Sequence, residues 1–213
     1  MGSTLNLSKI NEELARRARM LKGAVAKVGF PYGKTYPDGT PVAYVAAIQE
    51  FGADVPEHEV HAKNAQALAI PVTGGGTVFR KSASIPAMTI PSRSFMRSTR
   101  TEKLKEWAGL MAEGAKAVME RRISLYDMLD AVGQTAAMDV VQTIANRVSP
   151  PLAQSTVESR IRRAQRANPR FGKKSMPVTI SQPLNDSGTL IAHISYGIGK
   201  VGEDFTDGKA VKP

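Results

Sequence analysis

His58-Glu59-Val60-His61 puts two imidazoles and a carboxylate within four residues, the side-chain set of a zinc site. That chemistry needs the histidines four apart on a helix, so that both rings share a face with the glutamate beside them. Here they are three apart in a strand-like context, which sends the rings to opposite faces, and no metal is expected. Gly74–Gly76 has the glycines of a phosphate-cradling loop but not the Lys-Ser/Thr that should follow. No serine stands in a nucleophile-elbow pattern. His193 lies in an alternating stretch that reads as a strand. The chain has no cysteine, which removes thiolate nucleophiles, thiolate metal sites and disulfides. These residues predict neither an enzyme nor a cofactor.

The charges that do cluster are cations. Arg160, Arg162, Arg163 and Arg166, then Arg170, Lys173 and Lys174, are accompanied only by Glu158. The whole chain has 29 Lys+Arg against 19 Asp+Glu, a formal charge of +10, which favours anionic partners. On a helix, Arg162 and Arg166 share a face, as do Arg160 and Arg163. Such a face can hold phosphates without reading bases, pair with acids of a neighbouring subunit, or simply be solvated. A helix-turn-helix requires a short turn between two small helices, whereas Pro150-Pro151 separates a long helix from the basic one. A basic nucleic-acid-binding domain is therefore the alternative function class.

A second constellation is small and built for docking. Glu50 falls in the last turn of a predicted helix Val42–Phe51, where the helix dipole disfavours an acid, so a partner cation is expected. Arg93, in Ile90–Arg97 (IPSRSFMR), is the predicted partner. Phe51, Gly52, Pro91 and Phe95 form the motif core around them, with Gly52 as a left-handed C-cap.

The elements that must position these residues read as follows. Ser8–Lys22 predicts an amphipathic helix ended by Gly23, with no apolar core of a secretory signal in it. Ala24–Phe30 alternates as a strand, and Pro37-Asp38-Gly39 is a tight turn. Val42–Phe51 places Tyr44, Ile48 and Phe51 on one face. Glu57–Ala62, Ala67–Val72 and Thr77–Ile85 read as strands of a flexible hairpin arm over about 57–90, with Gly74–Gly76 at its tip. Thr101–Met119 has the stripe Leu104, Trp107, Met111 and Val118. Ser124–Val148 has Leu125, Leu129, Val132, Ala136, Val140 and Ile144. Pro150-Pro151 stops that helix, and a basic helix runs from Ser155 or Thr156 to about Ala167 with Val157, Ile161 and Ala164 inward. Val178–Ile180 is a possible short strand, Thr189–Ile198 a final one, and residues 201–213 a mobile tail. The expected fold is α+β, one domain over residues 1–200 in which a small antiparallel sheet, built from Ala24–Phe30, Ala67–Val72, Thr77–Ile85 and Thr189–Ile198, packs against two long helices. No run of apolar residues is long enough for a membrane span.

Five fragments in order resemble a known family: EFGA at 50–53, KNAQALAIPV at 63–72, IPSRSFMR at 90–97, SPPLAQSTVESRIRR at 149–163 and PLNDSGTLIAHISYGI at 183–198. Together they are similar to the tail-completion and neck proteins of tailed bacteriophages, including the virion morphogenesis proteins of Mu-like phages. Ser92 and Ser94 stand where that family has alanine and proline, and Ser187 where it has threonine. The resemblance implies a non-enzymatic structural protein, made in the host cytoplasm and placed in the virion at the head–tail junction. Its implied partners are copies of itself in a ring, the neighbouring connector and the tail terminator or tube, with non-specific contact to passing DNA and none to membrane.

Overall fold

The computed structural model describes residues 11–16, 19, 22–61, 68–71, 77–146, 149–167, 181–184, 188–202 and 209–210. The fold is α+β, with two long helices and small antiparallel sheets. Residues 11–16 are helical, within the segment read as the first helix. Glu13 there pairs with Arg121 at 3.1 Å, tying this segment to the connection between the long helices.

The centre is α3 (Leu125–Ala145), reached after α1 (Val42–Phe51) and α2 (Met96–Met119). Ser124 caps α3 in a capping box with Asp127, each side chain bonded to the other's backbone N–H. Its buried positions come first in adjacent pairs, Met128 and Leu129, Val132 and Gly133, Ala136 and Ala137, and then singly at Val140 and Ile144. Paired stripes make an apolar face wide enough for two partners. One partner is a sheet in which β1 (Ala24–Gly29) pairs antiparallel with β8 (Ser195–Lys200), and β8 with β9 (Lys209–Ala210). The other is α2, joined to α3 by Trp107 Nε1 donating to Asp139 Oδ2 (2.8 Å) and by the Thr99 and Thr143 hydroxyls (2.7 Å). Val42, Ala46, Phe95, Leu184, Leu190, Ile194 and Tyr196 close the core, with Phe30 edge-on to Phe95.

Between residues 53 and 90 the described strands form three antiparallel ladders in series, as in a hairpin. β2 (Ala53–Val55) pairs with β7 (Met88–Ile90), β3 (His58–His61) with β6 (Ser82–Ile85), and β4 (Leu68–Pro71) with β5 (Thr77–Arg80). The first two ladders share one register. The third is displaced by five residues, because six residues (62–67) separate β3 from β4 while only Lys81 separates β5 from β6. The tip Gly74–Gly76 lies outside the described residues. Two further helices lie among the described residues: α4 (Gln154–Ala167) and the single turn α5 (Thr189–Ala192).

Four expectations need correction. Thr189–Ile198 is not one strand: residues 189–192 form α5, with the Ala192 N–H donating to the Gly188 carbonyl (2.9 Å), and the strand runs from Ser195 to Lys200. Leu190 and Ile194 both point into the core, and a spacing of four satisfies a helical turn as well as an alternating strand. Gly188, at φ 75° and ψ −7°, enters the turn with backbone that a strand does not use. Second, the expected single sheet is divided, since Ala67–Val72 and Thr77–Ile85 contribute to the arm and not to the β1–β8–β9 sheet. Third, α2 starts at Met96 and not Thr101, and Leu104 and Met111 of its expected inner stripe are 50% and 37% exposed. Fourth, α1 buries Val42, Ala46 and Glu50, leaving Tyr44 and Phe51 outside. Within the expected tail, Lys209–Ala210 pair with β8. The possible strand Val178–Ile180 lies outside the described residues.

Candidate functional site

The densest polar constellation joins α1, the segment Pro91–Phe95 and the start of α2. α2 begins without a local cap, because Phe95 occupies the N-cap position and offers no side-chain acceptor. The first amide groups of a helix must find acceptors elsewhere. Glu50, 5% exposed, supplies them: Oε2 accepts from the Met96 N–H (2.9 Å), and Oε1 accepts from the Arg97 N–H (3.0 Å), Arg97 Nε (2.9 Å) and Ser94 Oγ (3.0 Å). A carboxylate at a helix N-terminus is also favoured by the dipole. Burial is the largest influence on Glu50 and pushes its carboxyl up, but the bonds from Met96, Arg97 and Ser94 together outweigh it and hold the group below the ordinary glutamate value.

The exchange is reciprocal. The Glu50 carbonyl, in the last turn of α1, accepts from Ser92 Oγ and from Arg97 Nη2, both at 2.8 Å, and the Gln49 carbonyl accepts from the Arg93 N–H at 2.6 Å. Each helix therefore satisfies the orphan backbone groups of the other. Gly52 makes the crossing possible: at φ 79° and ψ 170° it adopts backbone that L-residues avoid, and a Cβ there would stand 2.9 Å from the Ile90 carbonyl oxygen. It is a positive-φ cap, but extended and not the left-handed helical one expected.

The expected Glu50–Arg93 ion pair does not form. The cation on Glu50 is Arg97, whose side chain is 56% exposed and whose guanidinium also lies 4.8 Å above the Phe51 ring. Arg93, 5% exposed, turns the other way: Nε donates to the Pro150 carbonyl (2.9 Å), Nη2 to the Pro151 carbonyl (3.2 Å) and Nη1 to Gln49 Oε1 (3.1 Å). Glu50 does have a cation, as its place in the helix's last turn requires, but that cation is not Arg93. Successive side chains around the start of a helix point in different directions, and once α2 begins at Met96 it is Arg97 that comes back over Glu50. The signal for Arg97 was the missing local cap, which becomes visible only when the helix start is placed correctly. Of the motif core, Phe95 is fully buried, Pro91 is exposed, and Phe51 is 66% exposed, a cover for Arg97 and not a core residue.

The basic helix is split in function. Val157, Ile161 and Ala164 are half-buried as expected. Arg160 is also half-buried and donates to the Gln182 carbonyl (2.8 Å), whereas Arg162, Arg163 and Arg166 are exposed, with Arg162 at 3.9 Å from Glu158. Arg170, Lys173 and Lys174 lie outside the described residues. In β3, His58 Nδ1 is 3.1 Å from the Pro56 carbonyl, and His61 lies 3.9 Å from Glu59. Among the described residues no group of three or more His, Cys, Asp or Glu is placed to hold a metal ion. No helix among them is long and apolar enough to cross a membrane. Comparisons with protein-family models, with curated proteins and with solved structures found no match.

Proposed function

We propose that this chain is a structural virion protein at the head–tail junction of a tailed bacteriophage, forming a ring of identical copies that joins the connector to the tail terminator or tube. The observation that carries the reading is that fragments far apart in sequence, which resemble the neck and tail-completion proteins, meet in space. EFGA and IPSRSFMR interlock through Glu50 and Arg97, SPPL receives Arg93 through its two proline carbonyls, and PLND contributes Leu184 to the same core as Phe95. A set of motifs that folds into one unit is what a shared architecture requires. Two further features favour an assembly role. Leu104, Leu110 and Met111 face solvent along α2, and the paired strands of the arm are not part of the central sheet. The reading assigns no catalysis: Glu50, the buried acid, has its acceptor capacity engaged in capping α2.

Loss of the chain from a phage that encodes it tests this reading. The expected lysate contains packaged heads and free tails that do not join, and supplying the protein restores infectivity. Joined, infectious particles in its absence would overturn the proposal. The second reading, a nucleic-acid-binding domain acting outside the particle, draws on exposed Arg162, Arg163 and Arg166. It requires tight, steeply salt-dependent DNA binding by the isolated chain.

A further inference from the structure

Arg93 is buried, but none of its side chain's hydrogen-bond partners among the described residues carries a negative charge: two are proline carbonyls and one is the Gln49 amide. Among the described residues the charged group that acts on it is Arg160, of the same sign. Burial first, and then Arg160, push the Arg93 pKa down. A guanidinium has five N–H donors, and these bonds use three of them. Arg93 also lines the cavity of about 870 Å3 between α1, β7 and α4. Arg160 and Arg163 line it too, against one described acid, Asp38, whose Oδ1 is bonded to the Thr40 N–H (3.0 Å). Pro151–Ala153 and the hydroxyl residues Ser155 and Thr156 place the positive end of α4 on the same wall. Val45, Ile90, Leu152 and Leu184 give it apolar stretches of wall, beside the polar Thr40, Thr89 and Thr189.

We infer that this cavity is a receptor for a carboxylate side chain presented by a partner polypeptide, an acidic residue flanked by an apolar one, with Arg93 as its buried anchor. A lone desolvated cation with spare donors is stabilised by an anion that reaches it, and the planar fork of arginine matches a carboxylate in two-point geometry. The apolar walls suit the neighbouring side chain of a peptide. They do not suit a duplex phosphate backbone, which is too broad to bring its charge to a residue 5% exposed. The inference does not depend on the virion reading, since it concerns what the cavity recognises and not where the protein resides.

The test is arginine side-chain NMR of the full-length protein, with the Arg93 Nε–Hε resonance identified as the one missing from the Arg93→Lys spectrum. The probe acetyl-Ala-Glu-Leu-Ala-amide should shift that resonance saturably, and the glutamine counterpart should not. Ser155→Glu, a change at an exposed position on the cavity wall, places a carboxylate beside the site and should weaken the probe at least about tenfold while the fold persists. Inorganic phosphate and a twelve-base-pair DNA duplex are the other arms, at matched ionic strength. A shift with either of these and none with the glutamate peptide would overturn the inference. So would equal response to the glutamine peptide, unchanged affinity in Ser155→Glu, or no shift with any probe.

Discussion

Replacing Glu50 with alanine leaves the Met96 and Arg97 amides and the Ser94 hydroxyl without their acceptor at a site where water does not readily reach. Orphaned buried donors make this expensive, and urea denaturation should show a loss of about 3 kcal/mol. Arg97→Ala should cost under about 1 kcal/mol, because the arginine side of the pair is largely exposed and screened. Equal losses for the two would mean that the ion pair, and not the helix cap, is what Glu50 provides. The same carboxylate sets a pH dependence. Its pKa in the folded chain lies below the ordinary 4.5, so the stability it contributes is present above about pH 4.5 and is lost as pH falls through the depressed folded value. The stability gap between the wild type and Glu50→Gln, measured against pH, should therefore be constant near neutrality and close in acid. A gap that widened in acid would reverse the assigned direction.

At the scale of elements, the two long helices respond oppositely to the same substitution. Gly109 on α2 has open space where a Cβ would go, so Gly109→Ala should stabilise by up to about 1 kcal/mol through helix propensity alone. Gly133 on α3 faces the Tyr196 ring, and a Cβ would stand 2.7 Å from its Cδ2. Overpacking of about 1–3 kcal/mol should outweigh the propensity gain, so Gly133→Ala should lower the melting temperature. If both alanines stabilise, β8 does not sit on α3 as described. This contrast marks what the sequence could and could not convey. The period of α3 is long, so its existence and the buried stripe Leu129, Val132, Ala136, Val140 and Ile144 could be read directly, as could the positive φ at Gly52, whereas Met128, Gly133 and Ala137 widen the buried face beyond that stripe. The orientation of α1 and α2 could not. Their apolar residues are spread around the helix, and the buried face of α1 includes an acid, Glu50, that no hydrophobic pattern would select. The turn α5 escaped because Leu190 and Ile194 satisfy both periods at once.

For the whole molecule, a core centred on α3 accounts for folding, while much of what surrounds it goes unused in the single chain. α2 buries only Thr99 and Ala117 along 24 residues, and the described strands of the arm pair with one another. A protein whose role ended with its own fold would have little reason to present these surfaces together, whereas a subunit of a closed ring has a neighbour on each side to receive them. The most direct test is a cryo-EM reconstruction of the head–tail junction of a phage encoding this chain. The account predicts a ring of identical copies there, with the Glu50-capped junction of α1 and α2 intact in every subunit and the exposed face of α2 covered by an adjacent protein. Absence of the chain from the particle, or its placement in the capsid shell or tail fibres with α2 still facing solvent, would contradict it.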